Sequence, residues 1–214
     1  MIKKIITGLL FICVTSVPSY GATTLSYNSI DDAIKVLKVS PESRTGYVRT
    51  KFKHWVNSDG NKNGCDARKS AIIRDALVKP IIEKGCSLKG GKWLSIYDNV
   101  EVTEASKLDV DHMVPLAEAW DSGASSWTAE ERQMYANDLT DPRHLISVTG
   151  ASNRSKSDRD PAEWMPTNKS YQCTYLANWV SIKVRWSLSV DEKELNAIKS
   201  IKCPKNKITL TKVK

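Results

Sequence analysis

An apolar run too short to cross a bilayer, followed much later by four cysteines, constrains this chain more than any other feature. Lys3 and Lys4 precede the run from Ile5 to Val17, and Pro18-Ser19-Tyr20-Gly21-Ala22 adds a helix breaker and small residues. This is the layout of a secretory signal peptide over residues 1–21, cleaved after Gly21 or Ala22. A membrane span needs about 20 apolar residues, and no later stretch comes close. The expectation is an exported protein, periplasmic or secreted, with no membrane span. Cys13 lies inside the run, but Ile12 before it is too large for a lipidation box.

Beyond the leader stand Cys65, Cys86, Cys173 and Cys203. An even count in an exported chain reads as two disulfides, for which three pairings exist. Proximity in sequence favours Cys65 with Cys86 and Cys173 with Cys203. A zinc site is the rival reading, and neither a Cys-x-x-Cys nor a histidine at ligand spacing supports it.

With 41% hydrophobic and 26% charged residues in 214, the composition is that of a globular protein rather than a disordered one. No repeat, low-complexity tract or linker divides residues 22–214, so one domain is expected, as a monomer. The net charge of +8 fits a polyanionic partner such as nucleic acid or an anionic membrane surface. Two leader lysines contribute to that total, and the basic excess survives their loss.

Apolar spacing predicts helices over Ser29–Val39 and Cys65–Ala76, and Gly pairs with alternation predict short antiparallel strands after Pro80, through 92–97 and on to 100–102. Leu108–Val114 reads as a strand and Leu116–Trp120 as a helix. Thr128 with Glu131 forms a capping box that opens a helix ending near Asn137. Leu145–Val148 is a strand, Thr149 caps a brief helix carrying Asn153, and Asp160 with Glu163 reads as a second capping box. Ser170–Leu188 and Asp191–Ile201 are closing helices. The fold class expected is α+β, with short antiparallel strands wrapped by helices and stapled by disulfides.

The segment richest in chemistry is Leu108-Asp109-Val110-Asp111-His112-Met113-Val114-Pro115-Leu116. An Asp beside a His at a strand end offers a hard oxygen ligand for a divalent cation next to a base that titrates near neutrality. Phosphodiester hydrolysis uses both, since water must be activated and the leaving oxygen's charge neutralised. Later come Pro142-Arg143-His144-Leu145, then Asn153-Arg154-Ser155-Lys156-Ser157-Asp158-Arg159-Asp160-Pro161-Ala162-Glu163-Trp164. A strand with Asp-His, a second strand, then Asn-Arg-x-Lys-x-Asp resembles the HNH (ββα-metal, His-Me finger) nucleases. In particular it resembles an exported HNH group related to the C-terminal domain of GmrSD-type restriction enzymes. That group shares the Asp-His-x-Val-Pro-Leu-Ala-x-Ala-Trp string (Asp111 to Trp120), the Trp127-Thr128 and Ala136-Asn137-Asp138 strings, and Asp160-Pro161-Ala162-x-Trp164. The resemblance covers about Tyr47 to Cys203, with a motif core at about 108–164.

The resemblance implies a metal-dependent endonuclease acting on DNA, with RNA as a further substrate. His112 is the implied general base, and Asp111 and Asn153 the ligands of one divalent ion, Mg²⁺ first, with Mn²⁺ or Ca²⁺ as substitutes. In-line attack by water leaves a 5′-phosphate and a 3′-hydroxyl. His144 occupies the place of a bracketing Asn that orients the catalytic His, or else approaches the metal or a phosphate. Arg154, Lys156 and Arg159 are candidate phosphate contacts, each equally readable as part of a solvated face. Asp66 and Arg68, in a Cys-Asp-x-Arg string, are expected near the active face or as a simple ion pair. Adjacent strand residues point to opposite faces, so a bend or bulge near Asp111 and His112 is expected if both are to reach one phosphate.

Other features read more plainly. His54 has no partner visible in sequence, the seven tryptophans read as packing anchors, and Asp160 and Glu163 as caps. Asp59-Gly60-Asn61-Lys62-Asn63-Gly64 begins like a calcium loop, but Ser70 stands at its twelfth position, so a turn leading into a disulfide is the better account. The competing functions are a non-catalytic exported nucleic-acid-binding protein and a disulfide-stapled envelope module. Neither has a use for Asp111, His112 and Asn153 together.

Overall fold

The computed structural model describes residues 23–57 and 64–214. The leader, its cleavage site and most of the turn expected at 59–64 lie outside the described residues. Along the chain run β1 (Thr24–Tyr27), α1 (Ile30–Ala33), α2 (Ala67–Asp75), β2 (Ile81–Glu83), β3 (Ser87–Lys89), β4 (Trp93–Ser95), β5 (Val100–Val102) and β6 (Leu108–His112). They are followed by α3 (Leu116–Asp121), α4 (Ala129–Ala136), β7 (Leu145–Thr149), α5 (Gly150–Lys156), α6 (Gln172–Arg185), α7 (Glu192–Ser200) and β8 (Ile208–Thr211). The strands form antiparallel pairs, β1 with β8, β2 with β3, β4 with β5 and β6 with β7.

The mixed helix and strand content with short antiparallel strands agrees with the expected class, and several boundaries follow their local signals. Thr128 Oγ1 accepts from Glu131 N while Glu131 returns a bond to Thr128 N, the complete capping box of α4. Thr149 Oγ1 accepts from Ser152 N and opens α5. Two expectations are corrected. The first helix is a single α turn that tightens into a 3₁₀ turn over Ile34–Val36. Asp160 Oδ1 accepts from Ala162 N and Glu163 N, yet only a turn follows.

The β6–β7 ladder lies between two apolar clusters. Leu108, Val110 and Leu145 pack with Ala71, Ile72 and Trp93, while Ile146 and Val148 join the larger cluster of Trp120, Trp127, Tyr135, Trp179 and Trp186. Burying one such aliphatic side chain contributes about 1.5–3 kcal/mol, so the ladder is held from both faces. α5 follows β7 immediately and packs back on both strands.

The disulfides are Cys65–Cys86 and Cys173–Cys203, with sequence separations of 21 and 30. The first secures α2 to the turn before β3, and the second ties the start of α6 to the segment after α7. In the chain-entropy account, loops of this length contribute about 3–4 kcal/mol each. Replacing Cys173 and Cys203 together by Ser is therefore expected to lower the unfolding free energy by about 3 kcal/mol in urea titrations. A loss under about 1 kcal/mol would place the second bridge outside the cooperative unit.

Candidate active site

A cleft of about 460 Å³ opens at the C-terminal end of β6. His112, Asp111, Asn153, Arg154, Arg49 and Asp158 are among the residues that line it. No bulge brings Asp111 and His112 together. The register runs unbroken through Asp111↔Ile146 and His112↔Leu145, which corrects the expected bend. Because His112 is the last residue of the strand, the cleft wraps the strand end and meets residues from both faces.

On one face, Asp111 turns toward α5. Lys156 Nζ donates to Asp111 Oδ1 at 2.9 Å and lies 2.8 Å from Oδ2, Tyr97 Oη donates to Oδ2 at 2.6 Å, and Lys156 Nζ also donates to the His112 carbonyl at 3.0 Å. Lys156 has no solvent exposure. Burial pushes its ammonium down and the Asp111 carboxyl up, each shift opposed by the other's charge. Lys156 is thus an internal counter-ion rather than a phosphate contact. Asn153 lies one turn before it on α5, within the cleft lining, and Asn153 Nδ2 donates to Asp109 Oδ2 at 3.2 Å.

On the other face, His112 Nε2 lies 2.9 Å from the Ala136 carbonyl. A carbonyl oxygen can only accept, so Nε2 carries the proton and Nδ1 keeps the lone pair of the neutral ring. Burial, and then the neighbouring His144, holds the His112 pKa well below its ordinary value. Trp55 stacks on the imidazole at 5.3 Å between ring centroids and 26° between planes, with Tyr135 6.4 Å away. Trp55 also has a φ of 58°, a left-handed conformation that costs a side-chain-bearing residue about 1–3 kcal/mol. Trp55, expected as a packing anchor, stacks on the cleft histidine. The Ala136 carbonyl carries no side-chain signal at all, and Tyr97 and Arg49 belong to no motif.

The remaining candidates are placed as follows. His144 is fully buried, does not line the cleft, and meets His112 edge-on at 6.0 Å and Tyr135 at 4.5 Å. It packs behind His112 and off the cleft lining, out of reach of a phosphate or a metal in the cleft. Arg154 is exposed at the cleft, whereas Arg159 bonds the Lys156 carbonyl away from it. Asp66 is the N-cap of α2, and Arg68 donates to the Leu108 carbonyl at the start of β6, so they form neither an active face nor an ion pair with each other. His54 Nδ1 donates to the Phe52 carbonyl, and the ring abuts Trp55.

The donor set can be tested against a divalent ion. A carboxylate offers about four lone-pair positions, and Lys156 with Tyr97 uses most of those on Asp111. The Asn153 amide oxygen remains as a second hard donor on the same cleft. Two protein oxygens suit an ion that keeps several waters and completes its shell with phosphate oxygens, as Mg²⁺ does. A closed protein cage is not built here. Among the described residues, groups of three mutually close acidic or imidazole ligands occur elsewhere, around Glu42.

Comparison with known proteins follows this geometry. Residues 68–201 match the family described as GmrSD restriction endonucleases, C-terminal domain. The chain is 39% identical over 177 residues to a protein of Arthroderma benhamiae named "uncharacterized secreted protein", covering 82% of this chain and 84% of that one. No solved structure matches. The two disulfides fit export, and no described helix is long and apolar enough to cross a membrane.

Burial depresses the His144 pKa to about 4, against an opposing pull from Asp138. The folded form therefore resists a proton that the unfolded chain accepts near pH 6.5, so stability falls as pH drops from about 6.5 toward 4 and levels below that. Thermal melts from pH 7.5 to 4 should show this loss, and His144→Phe should remove up to about 3 kcal/mol of it. An unchanged pH profile in that variant would assign the acid sensitivity elsewhere.

Proposed function

The chain belongs to the family of GmrSD restriction endonuclease C-terminal domains, and on that premise we propose that it is an exported endonuclease hydrolysing phosphodiester bonds, of DNA first, with little sequence specificity. The observation that carries this reading is His112, with its Nε2–H tied to the Ala136 carbonyl and its unprotonated Nδ1 left for chemistry in a cleft that also holds Asp111, Asn153 and Arg154.

A scissile phosphate in this cleft meets two guanidinium groups, Arg49 and Arg154. Arg154 also borders a neighbouring groove of about 490 Å³ that includes Lys107, so a nucleic-acid backbone can pass from one depression to the next. Contacts of this kind are to phosphate and carry no base readout, in line with low specificity. His112 Nδ1 takes a proton from the attacking water, and the Ala136 carbonyl and Trp55 prevent the ring from turning while it does so. The β6–β7–α5 order supports the HNH reading, since the base stands at the end of the first strand and Asn153 on the helix after the second. Asp111 and Asn153 would hold a divalent ion, Mg²⁺ first, whose charge offsets that developing on the phosphate and the departing oxygen.

Supercoiled plasmid incubated with the purified protein and Mg²⁺ should be nicked and linearised, and a chelator should stop this. His112→Ala is expected to cut about 10²–10⁴-fold more slowly, and Trp55→Ala to lose rate with less effect on substrate binding. Arg154→Ala should weaken binding and lower the salt slope by about one. Plasmid left intact with every divalent ion, yet bound by wild type and His112→Ala alike, would favour the non-catalytic nucleic-acid-binding reading.

A further inference from the structure

Behind the cleft, α3 contributes to a second pocket of about 140 Å³ whose lining includes the acidic Glu42, Glu118, Asp158, Asp160 and Asp191 with Arg44 and Lys193, the lysine making no ion pair among the described residues. Glu42, Glu118 and Asp121 each bring a carboxylate oxygen within 4.8 Å of the others, and Glu42, Asp160 and Glu194 do the same. Carboxylates this close do not ionise together unless a cation or a shared proton joins them.

The counter-charge supplied by the protein falls short. Lys183 reaches Glu118 at 2.6 Å and Glu194 at 2.8 Å, and Arg44 reaches Asp121 and Asp158, both at 2.6 Å. Each cation is divided between two carboxylates, and among the described residues neither Glu42 nor Asp160 forms an ion pair. Asp121 supplies an independent observation. Its side chain is 3% exposed, Oδ2 takes the Arg44 bond, and Oδ1 is buried with no hydrogen-bond partner. A buried carboxylate oxygen without a donor is costly, and a cation placed between Asp121, Glu118 and Glu42 would satisfy it.

We propose that Glu42, Glu118 and Asp121 form a divalent-cation site, separate from the catalytic cleft, for a hard oxygen-seeking ion of the Ca²⁺ class. Ca²⁺ tolerates irregular sets of carboxylates, whereas Mg²⁺ demands near-octahedral geometry. Glu42 is exposed on the loop before Arg44, which leaves the site open to solvent, while Glu118 and Asp121 lie on the helix whose Leu116 and Ala117 line the cleft. The ion therefore clasps the loop at Glu42 to the cleft wall and acts on stability rather than on chemistry.

Calcium titration by calorimetry, in an Asn153→Ala background that removes a proposed donor of the cleft, should read one equivalent bound. At a hundredfold excess over Kd, Ca²⁺ should raise the melting temperature by about 5–10 °C. Glu42→Gln, a surface change that leaves the core intact, should weaken binding about tenfold or more and abolish the thermal response. The proposal is overturned if wild type shows no calcium response, or if Glu42→Gln keeps it. It is equally overturned if only acidification stabilises the protein, because a shared proton then does the work of the ion.

Discussion

The Lys156–Asp111 pair is the interaction on which the rest of the site depends. One ammonium, cut off from water, binds a carboxylate on β6 and the carbonyl of the next residue, and thereby clamps the end of α5 to the end of β6. Such a pair is a weak source of net stability, since desolvation consumes most of its attraction. Breaking it by removing one partner costs about 3–5 kcal/mol. What it fixes is geometry. Asn153 is three residues earlier on the same helix, so the clamp that anchors Lys156 also sets where Asn153 meets the cleft.

The two faces of β6 then divide the labour. The Asp111 side is polar and internally paired, with Tyr97 closing the set. The His112 side is aromatic, and its ring is held by a hydrogen bond to a backbone carbonyl at the end of α4. That carbonyl determines which nitrogen holds the proton, and burial keeps the ring neutral. Lys183 repeats the same device deeper in the fold, joining α3, α6 and α7 through Glu118 and Glu194. Two buried lysines thus lock helices onto the strand pair and onto one another, where a purely apolar core would permit sliding.

Local signals in the sequence were good guides to most elements whose physics was local, the exceptions being the shortened first helix and the Asp160 cap, which opens only a turn. The capping boxes, the strand alternation and the proximity of paired cysteines depend on residues a few positions apart. The α4 cap, the β4–β5 pair and both disulfides appear accordingly. The terminal pairing of β1 with β8 carried too little pattern to be seen, whereas the β2–β3 hairpin falls in the stretch after Pro80 expected to form short antiparallel strands. Motif resemblance also located the cleft, with Asp111, His112, Asn153 and Arg154 all on its lining.

Side-chain roles were another matter. Lys156 and Arg154 differ by two positions in one basic run, yet one is sealed inside and the other faces solvent. His112 ends β6 and His144 immediately precedes β7, and only His112 lines the cleft. By itself the sequence favoured the pairing of the cysteines, set the caps of α4 and α5 and narrowed the polar groups proposed for phosphoester chemistry to a short list. The tertiary structure alone decided which of those groups face water, which nitrogen of His112 is free, and that Trp55 braces it. Those properties depend on desolvation and on partners distant along the chain, such as the Ala136 carbonyl 24 residues from His112, and no local pattern encodes them.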